Sequence, residues 1–452
     1  MIAAARLDWP SLISLLALRD YNTRVVVLGV GAFALASGVV GTFLMLRKRA
    51  LLADVISHAT LPGIALAFLV GSALGMAGKS LPVLLAGATI TGVLAVLFVL
   101  AVVHTTRVKE DAALGIALSV FFGGGIALSS LVQQSATASA AGLDAFIYGK
   151  TAAMIVSDAW LIAGGAAIVI ALCIGFFKEL RLLCFDPAYA AAQGRPIVAF
   201  DLMLMGAVVL ITVIGLQAVG LILVIALLVV PPAAARFWSD DLRRVVLISA
   251  GVGLISGVVG AGLSALIPKA PSGALIVLVS GALFIFSLVF GAKRGSVWRW
   301  LEARQLGRRV AEQHFLRSCY ELVEDDPNRS FSEGALAANR VWNAEELARM
   351  MQVGLASRWI EPAGSSQFRL TQAGLESARR VTRNHRLWEM YLITHADIAP
   401  SHVDRDADLV EHVLDAEMIT KLEALLAADA AALVTPPSPH RLPSVLPTGA
   451  AP

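Results

Sequence analysis

Residues 211–232 read ITVIGLQAVGLILVIALLVVPP, a run without a charged side chain and with a single amide, Gln217. About 20 apolar residues cross a bilayer core as a helix. The stretch is therefore either one broken span or two spans joined by a tight reversal near Gln217. Pro231 and Pro232 end or break whatever helix precedes them. Comparable apolar runs lie at about 24–46, 51–70, 81–103, 113–132, 156–177, 197–216, 245–266 and 272–291. With 218–236 counted as a separate span there are nine helices, and with one broken span there are eight.

The loops favour nine. Alternate connections carry RKR (47–49), TRVKED (106–111), KELRL (178–182), RFWSDDLRR (236–244) and KRGSVWRW (293–300). The other connections carry single lysines, Lys79, Lys150 and Lys269. By the positive-inside rule the N-terminus is expected outside and the C-terminus in the cytoplasm, an arrangement that eight passes would spoil. Small residues recur inside the spans, as in LGVGAFALASGVVG (28–41) and SAGVGLISGVVGAG (249–262), which is the composition of closely packed membrane helices.

Composition agrees. The 452 residues are 57% hydrophobic and 15% charged, with a mean hydropathy of +0.75, which points to an integral membrane protein. A net charge of +3 argues for no nucleic acid or acidic partner. Cys173, Cys184 and Cys319 are widely spaced, without CxxC, and suggest neither disulfides nor a thiolate metal site. No charged n-region with a short apolar core opens the chain, so insertion is expected to use the spans themselves.

Beyond about residue 308 the pattern turns soluble. EQHFLRSCYELVED (312–325) and NAEELARMMQVGLASRWIE (343–361) read as amphipathic helices, and SSQFRLTQAG (365–374) as a hairpin-like wing with Thr371 as a cap. Further helices are expected in 376–395 and 406–427, and a Pro-rich disordered tail in 431–452. The fold class is an all-α polytopic membrane protein with a C-terminal soluble, winged-helix-like α(+β) domain. Its divisions are a transmembrane domain at 1–292, a linker at 293–308, a cytoplasmic domain at 309–430 and the tail.

The first candidate site is Asp54 with His58. Their i, i+4 spacing puts both on one helix face, and an ionisable residue inside a membrane span is a functional hypothesis by default. A carboxylate and a neutral imidazole suit zinc, manganese or iron(II) better than calcium. A transition metal wants four or more ligands, so a second protomer would complete the shell. Pro62 and Gly63 follow closely and are expected to distort the helix and free carbonyls. The competing readings are an internal hydrogen-bonded pair tying two helices and a proton relay through His58.

The second candidate is CFDPAYAAAQGRP (184–196). Asp186 and Pro187 read as a helix start, Ala190 as part of a short exposed helix and Gly194 as its stop. Such a helix suits docking into a partner's groove, and a plain connector is the alternative.

ALLADVISHATLPGIALAF (50–68), TRVKEDAALGIALS (106–119), FDPAYAAAQG (185–194) and VGLILVIALLVVPPAAAR (219–236), in that order, resemble the manganese/zinc/iron ABC transporter permease family over residues 20 to about 292. The resemblance implies a dimeric permease subunit in the bacterial cytoplasmic membrane, among its lipids. A separate cytoplasmic ATPase would drive it and an extracytoplasmic metal-binding protein would feed it. Asp54 and His58 would line the metal path, and 185–194 would be the coupling helix. The chain has no GxxxxGK[ST], so no nucleotide is expected to bind and ATP hydrolysis belongs to the partner.

HFLRSCYELVED (314–325), QFRLTQAG (367–374), NHRLWEMYL (384–392) and DLVEHVL (408–414) resemble the iron- and manganese-dependent metalloregulators over about 310–428. The resemblance implies metal ligands at His314, Asp408, Glu411 and His412, with an ancillary pair His385 and Glu389. The helical spacings i, i+4 and i, i+3, i+4 fit that use, and equally a solvated acidic face. The segment WNAEELARMMQVG (342–354), in the recognition position, carries Glu345 and Glu346 and one Arg, which argues against DNA binding. A cytoplasmic sensing or dimer-bracing role, acting through GAKRGSVWRWLEARQ (291–305), is the expectation. The alternatives are a membrane-tethered metal-dependent transcriptional regulator and a proton-coupled secondary transporter.

Overall fold

The structure is a computed structural model that describes residues 20–74, 81–133, 149, 151–267, 270–339, 342–395, 419–420 and 422. The chain divides into two compact units, Met1–Arg299 and Trp300–Pro452.

The first unit is helical. Its long helices are α1 (Tyr21–Leu46), α2 (Ala50–Ala73), α3 (Leu81–Thr105), α4 (Glu110–Gln133) and α5 (Val156–Gly175). Two short helices follow, α6 (Phe177–Phe185) and α7 (Pro187–Ala192), then α8 (Ile197–Val219), α9 (Leu221–Ala235), α10 (Leu242–Leu266) and α11 (Ser272–Phe290). Eight described helices are long and apolar enough to cross a membrane. The ninth, α9, has 15 residues, about 22 Å of helix against a bilayer core of about 30 Å.

The opening stretch is thus two helices. Gly220 divides them at φ +81°, a left-handed conformation that only glycine adopts cheaply. The break falls beyond Gln217, and Pro231 and Pro232 lie inside α9 rather than ending it. Pro232 has no N–H to offer the Leu228 carbonyl. That carbonyl lies against Gly41 of α1, where a Cβ would strike it.

Helix α1 starts on Asp20, whose Oδ2 accepts from the Thr23 N–H at 2.9 Å. It is the central helix, packed by α5, α9 and α10. Its small residues allow the approach: a Cβ on Gly38 would meet the Ser249 carbonyl, and one on Gly253 the Ala34 carbonyl. The Ser249 hydroxyl donates to the Gly38 carbonyl across this crossing at 2.7 Å. Helices α2 and α3 cross in the same way at Gly63 and Gly87. Membrane helices associate by close packing and interhelical hydrogen bonds because lipid removes the hydrophobic drive.

In the second unit α12 (Ser296–Val323) is followed by β1 (Phe331–Ser332), α13 (Glu333–Asn339), α14 (Ala344–Ala356), β2 (Ile360–Gly364), β3 (Gln367–Leu370) and α15 (Gln372–His395). The expected linker at 293–308 is helical from Ser296 onward. The strands form an antiparallel sheet in the order β1-β3-β2, in which β2 and β3 make the wing hairpin. Thr371 caps α15, its Oγ1 accepting from the Gly374 N–H at 3.0 Å. Phe315, Cys319, Leu336, Met350 and Ile360 form the core between helices and sheet. Most of the expected helix at 406–427 lies outside the described residues.

Candidate functional site

Asp54 and His58 are the fifth and ninth residues of the 24-residue α2, roughly 6 and 12 Å along its axis. They therefore sit in its first half. His58 Nε2 lies 3.3 Å from Asp54 Oδ1, with the side chains 21% and 30% exposed. His58 Nδ1 is buried and has no hydrogen-bond partner among the described residues. The Phe122 ring of α4 stands edge-on to the imidazole, centroids 4.6 Å apart. Pro62 lies within α2, and its missing N–H withdraws the i→i−4 donor from the His58 carbonyl. Helix α4 crosses there because Gly125 leaves room for Leu61 and Pro62. One carboxylate, one imidazole and a carbonyl relieved of its helical partner thus gather on one stretch of helix. No group of three or more His, Cys, Asp or Glu suited to a metal occurs among the described residues.

An ion network lies at the start of the same helix. Arg49 Nη1 meets Asp201 Oδ2 at 2.6 Å, and Arg47 Nη2 meets Asp201 Oδ1 at 3.2 Å. Glu110 pairs with Arg49 Nε, and Arg47 Nη1 donates to the Leu183 carbonyl at 3.1 Å. Sequence reasoning missed this cluster, treating Arg47 and Arg49 only as loop charges. The signal was Asp201, a lone acid in the apolar run IVAFDLMLMGAVV (197–209).

The α6–α7 loop is built as expected locally. Asp186 caps α7, its Oδ1 accepting from the Tyr189 N–H at 2.9 Å, with Pro187 opening the helix. Ala190 is its buried residue, while Phe185 and Tyr189 are exposed. Gly194 ends it at φ +72°. A cleft beside it is lined by Lys178, Arg181, Arg195 and Arg243, with Glu179 the one acid.

In the second unit His385 and Glu389 lie 3.1 Å apart, Nε2 to Oε1, on α15. Arg317 of α12 donates from Nη1 to His385 Nδ1 at 3.1 Å and pairs with Glu321 at 2.7 Å. Beside them Arg386 Nη2 donates to Glu324 Oε2 at 2.7 Å. Burial alone would lower the Arg386 pKa, but the Glu324 bond and charge outweigh it and hold the group above its ordinary value. His314 is half-buried on α12, one turn before Arg317. Asp408, Glu411 and His412 lie outside the described residues. The first turn of α14 exposes Glu345 and Glu346, poor chemistry for approaching phosphates.

A bundle of eight helices long and apolar enough to cross a membrane, with an ionisable pair in one of them, has the architecture of a polytopic membrane protein. Residues 19–291 match the ABC 3 transport family, and residues 371–429 match the iron dependent repressor, metal binding and dimerisation domain. The chain belongs to the ABC 3 transport family. It is 35% identical over 391 residues to the manganese transport system membrane protein MntC of Bacillus subtilis, covering 86% of this chain and 88% of that protein. It is 39% identical to the zinc transport system membrane protein TroC of Treponema pallidum, covering 64% of this chain and 95% of that protein. Among solved structures it resembles PsaBC from Streptococcus pneumoniae in complex with Fab, at 28% identity and a TM-score of 0.55. That match covers 65% of this chain and 99% of the other.

Proposed function

We propose that this chain is the permease subunit of an ATP-driven importer of divalent transition-metal ions, with manganese, zinc and iron(II) as the candidate cargo. The observation that carries the reading is the Asp54–His58 pair in a membrane helix, 3.3 Å apart, with the His58 carbonyl deprived of its helical donor by Pro62. Carboxylate, imidazole and carbonyl are hard and borderline donors that fit these ions. Two side chains per chain fall short of a full shell, so a second permease protomer supplies the rest, and weak shared coordination allows release. The capped α7 docks a separate cytoplasmic ATPase, and an extracytoplasmic metal-binding protein delivers the ion. The relatives named for manganese and zinc transport support the cargo, and the basic loops support a cytoplasmic second unit in a bacterial cytoplasmic membrane. The second unit's match to a metal-binding domain supports a regulatory role.

The test is ATP-dependent uptake of radiolabelled manganese, zinc and iron into proteoliposomes holding the ATPase and binding protein. Uptake of one metal that vanishes in Asp54→Ala supports the site. Uptake that survives returns Asp54 and His58 to a structural pair, and no uptake of any metal overturns the importer. Deleting 309–452 tests regulation: an unchanged rate and an unchanged response to internal metal would remove it.

A further inference from the structure

The cleft beside α7 holds charges that the ion path does not use. Residues 176–196 join α5 to α8, two successive helices long and apolar enough to cross a membrane, so the connection lies at one membrane face. Within it α6 is amphipathic. Leu180 and Leu183 are buried, while Lys178 and Arg181, three positions apart on the other side of the helix, are exposed. A basic amphipathic helix joined to a span lies in the plane of the lipid headgroups.

Arg195, beyond α7, and Arg243, in the first turn of α10, complete a cleft of about 240 Å³, with Phe177, Ile197 and Phe200 as its apolar wall. Four cations there face one carboxylate. That carboxylate, Glu179, lies 3.6 Å from Arg195, and Lys178, Arg181 and Arg243 make no ion pair among the described residues. A cleft lined by one sign of charge concentrates ions of the other.

The border of the cleft selects the kind of anion. Val198 and Leu202, 62% and 41% exposed, continue along α8 from the Ile197 wall. At the end of α5, Phe176 packs on Phe200 with ring centroids 5.8 Å apart, and Ile174 before it is also exposed. A soluble anion would use the charges and leave these apolar side chains in contact with nothing of its own. A phospholipid uses both, its phosphate among the cations and its acyl chains along the spans. Basic pockets at the cytoplasmic ends of membrane helices take acidic headgroups in this way.

We propose that the cleft formed by α6, α8 and the start of α10 binds the phosphate headgroup of an anionic phospholipid of the cytoplasmic leaflet, and that the bound lipid braces the connection carrying α7. The choice of leaflet rests on the proposed cytoplasmic placement of this connection.

The experiment titrates the full-length protein in nonionic detergent with dioleoylphosphatidylglycerol or dioleoylphosphatidylcholine and counts bound lipid by native mass spectrometry. Wild type is expected to prefer the anionic lipid. Each removed cation is expected to weaken it about fivefold, so Arg181→Gln with Arg243→Gln loses roughly 25-fold and with it the preference. Arg107→Gln with Lys109→Gln removes the same charge from another loop of the same face and is expected to change little. Lys178→Gln, at an exposed position, gives the same reading on a smaller scale if the first double variant fails to fold. No preference in wild type, or equal losses in the two double variants, overturns the proposal. Glycerol 1-phosphate binding as tightly as the lipid also overturns it, making the site one for a soluble phosphate. So does a first double variant that keeps its lipid and loses the ATPase, which would give the cleft to that partner. The titration contains no metal, ATP or ATPase, so its outcome stands if the importer reading fails, and uptake by a chain that binds no lipid leaves the importer reading standing.

Discussion

Arg49 and Asp201, 152 residues apart in the chain, meet at 2.6 Å with both side chains nearly enclosed. Asp201 also holds Arg47, and Glu110 holds Arg49, so two cations and two carboxylates cancel where the α1–α2 turn meets α4 and α8. Arg47 extends the cluster to the Leu183 carbonyl of α6, two residues before α6 ends at Phe185 and the chain passes into α7. Asp201→Asn leaves two arginines facing one carboxylate. Breaking a buried pair costs about 3–5 kcal/mol, so the variant is expected to melt well below wild type in detergent. An unchanged melting temperature would show the network to be incidental.

The α1–α10 crossing tolerates no side chain at Gly38, because a Cβ there meets the Ser249 backbone. Gly38→Leu is expected to lose most folded protein, as monitored by fluorescence-detected size exclusion. Ser249→Ala removes one interhelical hydrogen bond and is expected to cost only about 1 kcal/mol. Equal effects of the two changes would refute the packing account.

Pro62→Ala restores an N–H to the His58 carbonyl and removes a helix breaker. Stability and transport are therefore expected to move in opposite directions. The melting temperature should rise, while the metal concentration for half-maximal uptake rises on the order of tenfold, the scale of a lost supporting contact at a metal site. Unchanged uptake would exclude the carbonyl from the ion's path.

Burial raises the Cys319 thiol above its ordinary pKa. Burial likewise pushes Cys184 up to about 12, with Arg47 pulling it down and Asp201 up. A raised thiol pKa means less thiolate at a given pH, so at pH 8 only roughly one Cys184 in ten thousand is reactive. Maleimide labelling at both positions should be negligible in native protein and complete after denaturation. Rapid native labelling would contradict the packing of either cysteine.

Thr371→Ala removes the hydroxyl that caps α15. A lost N-cap costs about 1 kcal/mol, expected as a small fall in the second unit's unfolding midpoint. No fall would mean that Thr371 adds nothing to the helix start.

The spans were legible because lipid demands long uninterrupted apolar helices, so the run at 24–46 became Tyr21–Leu46 almost unchanged. The reversal near Gln217 was legible only as a choice. A polar side chain drew the eye, whereas the break is made three residues later by the backbone of Gly220. The nearness of Asp54 and His58 followed from helix geometry alone. Arg47 with Asp201, and Arg317 with His385, did not, since each pair joins residues far apart in sequence that no local period relates. Strand β1, two residues long, leaves no alternating pattern to read.

The placement of Asp54 and His58 at the fifth and ninth of 24 positions makes α2 lopsided. On the proposed reading, an ion held by this pair would have about 20 Å of helix on one side and about 6 Å on the other. The long side gives a thick plug almost free of charge. On the short side only a little over one turn separates Asp54 from the arginines at the helix start. On the proposed reading, leak-tightness between transport cycles would depend on the thin side, where a slight parting of the helices would open a water-filled gap.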